Sequence, residues 1–191
     1  SATNLGSNAG LTVTNGSFST ANYALTTANI ASNNTNSRSL SLGSSTITMS
    51  GSSTGINFGT ALNNTFAFTF DAGTSQINLN VSSFNFNGNG QTFYNVSLTG
   101  TPTITGANTF NNLTISGNTT TGVRTISIPA NQTINGTLTF SAGTNVTRRT
   151  AVTSNTIGTT RTLTCAAFSA TDVDFRDITI AGAAAPVSGT R

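Results

Sequence analysis

The chain has no His, no Lys, no Glu and no Trp, and a single Cys among its 191 residues. Its charged groups are seven Arg and four Asp, the latter Asp71, Asp172, Asp174 and Asp177. General acid–base chemistry needs a group that titrates near the working pH, most often His or a tuned carboxylate. Neither a Ser-His-Asp nor a Cys-His arrangement can be assembled from this composition. Zinc sites of the usual kind fall with them, since they draw on several His and Cys ligands. The expectation is a non-enzymatic chain to which no catalytic, cofactor or metal residues are assigned.

Cys165 has no possible partner within the chain, so there is no internal disulfide framework. It lies in step with Leu163, which reads as a buried thiol in preference to a nucleophile. No apolar run approaches the ~18 residues of a bilayer span, so membrane insertion is not expected. No basic stretch precedes a hydrophobic one, so no signal peptide is expected. The start at Ser1 without Met and the loop-like end at Arg191 suggest a segment of a longer polypeptide.

Asn, Thr, Ser and Gly fill the space that charge leaves. Charged residues make up 6% of the chain, against roughly 25% in ordinary soluble domains. Disorder usually combines high net charge with few apolar residues, whereas 35% of this chain is hydrophobic and twelve residues are Phe. Order is expected, with amides and hydroxyls at the surface. The pI of 10.0 reflects a net charge of only +3. Arg38, Arg124, Arg161, Arg176 and Arg191 stand alone and only Arg148 and Arg149 adjoin. A phosphate-binding face needs clustered cations, so these read as scattered solubilising charge and no nucleic-acid partner is expected.

The informative pattern is a short alternation. Apolar residues recur two apart, as in Leu11/Val13, Leu40/Leu42, Ile47/Met49, Ile56/Phe58, Ile77/Leu79, Phe84/Phe86, Val96/Leu98 and Leu113/Ile115. It continues through Ile126/Ile128, Leu138/Phe140, Leu163/Cys165, Val173/Phe175 and Ile178/Ile180, with a triplet at Phe66/Phe68/Phe70. Side chains two apart in a strand point the same way, so each pair marks a short strand with one buried face. No window carries a helical stripe bounded by caps. The Ala-rich stretch from Ala181 to Ala185 contains Gly182 and runs into Pro186, which reads as a linker.

An internal repeat overlies this pattern. Residues 91–100 (QTFYNVSLTG) align with 108–117 (NTFNNLTISG), and a looser copy at 132–140 needs one inserted residue. Repeats of this size indicate stacked coils, none able to bury its apolar face alone. The expected fold is all-β, a right-handed parallel β-helix (β-solenoid) of short strands, with an antiparallel β-sandwich as the alternative. Residues 1–182 read as one elongated β-rich domain with 17-residue-type repeats at 91–140, and 183–191 as a linker-like tail. The dipeptides Asn15-Gly16, Asn87-Gly88, Asn89-Gly90 and Asn135-Gly136 suit hairpin turns in a sandwich or left-handed bends between coil strands. Asn95 and Asn112 hold equivalent repeat positions and are candidates for an amide ladder along the axis, or simply turn residues.

The densest chemistry lies at 171–180 (TDVDFRDITI). In a strand there, Val173 and Phe175 face inward while Asp172, Asp174 and Arg176 share the outer face. Two carboxylates on one face could serve as a glycosidase pair or offer oxygens to Ca²⁺. Arg176, however, is the natural neutralising partner of Asp174, and a surface ion pair is the reading adopted. The triplets Thr12-Val13-Thr14, Thr46-Ile47-Thr48 and Thr103-Ile104-Thr105 are of the kind seen in ice-binding solenoids. Their offsets are unequal, so they read as ordinary outward threonines. Sequons at Asn63, Asn80, Asn112 and Asn145 arise by chance in such a composition. Of Phe93 and Tyr94, one must face outward.

The phrases at 86–100 (FNGNGQTFYNVSLTG) and 108–117 resemble Gly/Thr/Asn-rich repeat regions of phage virion proteins and of large bacterial surface proteins. The stretch 170–182 (ATDVDFRDITIAG), with Pro186, looks like a segment of phage structural proteins. The resemblance implies a β-helical fibre, spike or tail component with no catalytic residues to carry over. The function expected is a structural and interaction module of a larger assembly in a virion or at the cell surface. Alternatives are a bacterial adhesin segment and a polysaccharide-cleaving tailspike. Partners would be other subunits, as a homo-oligomer such as a trimer, and a cell-surface glycan.

Overall fold

The computed structural model describes residues 2–6, 8–51, 53–59, 67–141, 143, 145 and 147–187. Short apolar pairs become strands, and the polar residues between them become corners. The first coil carries β1 (Thr3–Asn4), β2 (Leu11–Thr12) and β3 (Gly16–Ser19). The second carries β4 (Leu25–Thr27), β5 (Ile30–Ala31) and β6 (Arg38–Ser41), and the third β7 (Thr46–Met49), β8 (Ser53–Asn57) and β9 (Phe68–Asp71). From the fourth coil onward there are two strands per turn. These are β10 (Gln76–Leu79) with β11 (Ser83–Asn87), β12 (Thr92–Leu98) with β13 (Thr101–Thr105), and β14 (Thr109–Ile115) with β15 (Gly122–Ile128). Then follow β16 (Gln132–Phe140) with β17 (Arg148–Ser154), β18 (Arg161–Ala170) with β19 (Val173–Arg176), and a closing β20 (Ile178–Ala181).

The strands stack into a nine-stranded front sheet (β1, β4, β7, β10, β12, β14, β16, β18, β20) and an eight-stranded back sheet. A three-stranded side sheet is formed by β3, β6 and β9 alone. Every pairing is parallel. A sandwich of hairpins requires antiparallel neighbours, so the chain is a parallel β-helix. Among the described residues there is no helix, and hence none long and apolar enough to cross a membrane. Of the Asn-Gly sites, Gly16, Asn89 and Gly90 are left-handed, Asn87-Gly88 closes β11 without positive φ, and Asn135-Gly136 lies inside β16 at an irregularity of register.

The apolar pairs fill one continuous core. Ile47, Met49, Ile77, Leu79, Phe86, Leu98 and Leu138 are fully buried. The pairs that are less than buried lie in the first and last rungs: Leu11, Val173, Phe175, Ile178 and Ile180. A rung in a stack needs a neighbour on each side, and these have one. Phe66 of the predicted triplet lies outside the described residues. Phe68 and Phe70 belong to β9, half-buried against Phe58 with ring centroids 5.0 Å apart in each case.

Coils differ in length without losing register. Asn95 lies beneath Asn112 at a separation of 17, and Ser41 beneath Asp71 at 30. In the fifth coil and beyond, the front strand lengthens and its alternation slips by one. Phe93 and Val96, three apart, are both buried, as are Phe110 and Leu113. The slip turns the strand, so that its first half covers the flank where the side sheet stops. The Phe93 ring lies tilted against Phe70 of β9 at 5.0 Å, edge-on to Phe86 and stacked on Phe110 beyond it. In β16 one further residue enters at the same place, so Ile134 sits over Phe110 while Leu138 sits over Leu113.

Corner geometry is equally constrained. Gly100, at the turn from front to back sheet, has φ 76°, and a Cβ there would lie 2.0 Å from the Val81 carbonyl oxygen. Only glycine fits.

Candidate functional site

Two features carry polar chemistry. The first is the acidic segment of β19 and its flanks. Asp172 and Asp177, both left-handed, are the corners on either side of the strand. The Asp172 carbonyl accepts from Thr150 N–H at 3.1 Å, and the Asp177 carboxylate accepts from Gly158 N–H at 3.1 Å. The partner of Asp174 is not Arg176 but Arg149, one coil below. Its Nε and Nη2 donate to the two carboxylate oxygens at 2.9 and 2.8 Å. Arg149 Nη1 also lies 3.7 Å from Asp172. The hydrogen bond to Asp174 raises the Arg149 pKa further above its ordinary value. Arg176 instead approaches Asp177 at 3.9 Å. Spacing within one strand pointed to Arg176, but stacking put a fork-shaped donor from the neighbouring rung in front of both carboxylates.

Val173 and Phe175 do take the inward row, above Thr150 and Val152. Phe175 is nevertheless 38% exposed, because no strand among the described residues lies over it, and its ring meets Phe140 and Phe168 at 5.7 and 6.0 Å. No group of three or more His, Cys, Asp or Glu that could hold a metal ion occurs among the described residues.

The second feature is the outer face of the front sheet. Thr26, Thr48, Asn78, Ser97, Thr114 and Thr139 align in register as one column, spaced at about 4.8 Å by the sheet. Beside it runs a column of Thr46, Gln76, Asn95 and Asn112. Asn112 Nδ2 donates to Asn95 Oδ1 at 2.9 Å, and Asn112 Oδ1 accepts from Thr137 N–H at 2.8 Å. The two amides thus form an axial ladder at the bend of the front strands. From Gln76 and Asn78 onward the columns floor a shallow trough of about 540 Å³. It offers donors and acceptors in a fixed row. The three Thr-x-Thr triplets do not share a face, for Thr46 lies on the front sheet and Thr12 and Thr103 on the back.

A buried amide pair went unrecognised in the sequence. Asn108 and Gln132 are each 1% exposed, and Gln132 Oε1 accepts from the Asn108 backbone and side-chain N–H groups at 3.2 Å. Their equivalence as the first residue of each repeat copy was the available signal. Two arginines taken for solubilising charge are also buried. Arg38 is 3% exposed, donates to Ser32 Oγ and to the Ser32 and Asn36 carbonyls, and lies 4.8 Å from the centroid of Phe68. Arg124 is 8% exposed.

Cys165 is buried, and that burial raises the pKa of its thiol. Phe93 is buried and Tyr94 half-buried, which assigns the outward ring to Tyr94. Among the sequons, Asn80 and Asn145 are exposed, Asn112 is held in the ladder, and Asn63 lies outside the described residues. Ala184 N–H donates to the Cys165 carbonyl at 3.2 Å, so the tail is docked at that point. Comparison with family models, curated proteins and solved structures gives no match.

Proposed function

We propose that the chain is a structural and interaction module of a larger extracellular or virion assembly, of the fibre, spike or tail kind, built by stacking subunits. The observation that carries this reading is the rung at β18 to β20. There Phe168, Val173, Ile178 and Ile180 pack on the core half-buried, and the exposed Phe175 meets it through Phe140. A half-covered apolar rung with free strand edges favours another coil above it. The outer surface of neutral amides and hydroxyls supports lateral packing against neighbouring copies, and the front trough supports contact with a cell-surface glycan. A bacterial adhesin segment would use the same surfaces. Cleavage of polysaccharide gains no support, since Arg149 ties up both Asp172 and Asp174.

Sedimentation of the purified chain tests the reading. The chain should self-associate over micromolar concentrations, and Phe175→Arg, at the half-covered rung, should weaken association roughly tenfold or more. A strictly monomeric chain, or association indifferent to Phe175→Arg, overturns it.

A further inference from the structure

Arg124, like Arg38, breaks the apolar rule of the inward rows. It shares the inward row of β15 with Ile126 and Ile128, which are 0% and 1% exposed, while its neighbour Val123 faces out at 65% exposure. Polarity is inverted over two adjacent residues. A buried cation is costly unless a carboxylate or a full set of acceptors compensates it. The four Asp are committed elsewhere. Asp71 accepts from Ser41 and Gly73, Asp172 and Asp174 face Arg149, and Asp177 faces Arg176 and Gly158. Arg124 Nη2 donates to the Ser116 carbonyl, whereas its Nε is buried with no hydrogen-bond partner. Burial lowers its pKa from the ordinary arginine value, the direction expected of an under-compensated guanidinium.

Arg124 lines a groove of about 440 Å³ at the corner between front and back sheets, as does Ser116, whose carbonyl its Nη2 meets. That volume falls within the roughly 300–1,000 Å³ of small-molecule sites. Val81 and Val123 supply an apolar ledge, and Ser82, Thr99 and Thr101 supply oxygens. The Thr99 and Thr101 hydroxyls already donate to the Leu79 and Ser82 carbonyls at 3.0 Å, which leaves their lone pairs as acceptors. The far wall is fixed by Asn118, 2% exposed, whose Oδ1 accepts from Thr120 N–H at 3.0 Å and whose Nδ2 donates to the Gly122 carbonyl at 2.8 Å. The groove is therefore formed before any ligand arrives.

We propose that this groove binds a small carboxylated sugar, with Arg124 receiving the carboxylate. One cation calls for one negative charge. The acceptor oxygens fit ring hydroxyls, and the valine ledge fits a C–H face, which neither phosphate nor sulfate possesses. The groove is complete within one chain, so the proposal is independent of subunit stacking.

The test is calorimetric titration of the whole chain with glucuronic acid, alongside glucose and acetate, at low salt. Glucuronate should bind roughly tenfold or more tightly than either control. Arg124→Met keeps the volume and removes the buried charge. It should fold with an equal or higher Tm and lose glucuronate binding roughly tenfold or more. Val123→Trp changes only an exposed residue and should obstruct the groove, so it tests the site even if Arg124→Met fails to fold. Absence of glucuronate binding overturns the proposal. So does glucose or acetate binding equal to glucuronate, or full affinity in either variant.

Discussion

The two halves of the stack solve one problem differently. Coils one to three are closed by three sheets, and the polar groups at their inner corners are met by hydroxyls. Thr20 Oγ1 donates to the Leu42 carbonyl at 2.8 Å and accepts from Ser45 Oγ at 2.7 Å, and Thr27 and Ser32 donate to the Ala9 and Val13 carbonyls. Coils five to eight have two sheets, the front strand bends to serve as the missing wall, and amides do the corner work through Asn95, Asn108, Asn112 and Gln132. A hydroxyl donates and accepts through one oxygen, whereas an amide does so through two separate atoms and spans a wider gap. The lesson is that where the side sheet ends an amide ladder joins the hydroxyls that serve corners throughout, and the Phe column from Phe58 through Phe70, Phe93 and Phe86 to Phe110 joins the two regions.

That contrast can be broken most forcefully at the seam. Phe93→Ala removes the ring that touches Phe58, Phe70, Phe86 and Phe110, and should cost about 3–5 kcal/mol. Chemical denaturation should then resolve two transitions where the parent shows one, because stacked coils communicate only through their neighbours. A single transition in the variant would mean the halves are coupled by something other than the aromatic column.

The amide regime is probed by Asn112→Ala. It strips the acceptor from Thr137 N–H and the donor from Asn95, and should cost about 1–3 kcal/mol. Amide hydrogen exchange should rise at Thr137 and remain unchanged in β4 to β7. The smallest expected effect is at the ion pair. Asp174→Asn should change stability by less than about 1 kcal/mol, since the carboxylate is largely exposed. A thermal melt in low salt that shifted by many degrees would show Arg149 to be holding the last coil in place.

Much of this was legible because a strand's period of two survives any corner length. The buried pairs, the 17-residue offset and the inserted residue at 132–140 could all be read without coordinates, while the Asn95–Asn112 ladder was one of two readings those positions left open. Arg38 and Arg124 were legible too, being in phase with Leu40 and Ile126. They were misread because an isolated cation was assumed to seek water. The Arg149–Asp174 pair was not legible. The two residues are 25 apart in sequence, and no rule of spacing anticipates which rung lies beneath which when coils vary in length. The bend of the front strands was hidden for a related reason: Phe93 to Val96 breaks the alternation that identifies strands.

The tolerance of coil length has a practical meaning. Backbone pairing sets the pitch of this molecule and leaves the excursions at its corners unregulated, so it resembles a rack with shelves at fixed height and arbitrary overhang. Peptides or whole binding loops grafted at an exposed corner such as 155–160 would be displayed at predictable intervals along a rod, with the shelves beneath left undisturbed.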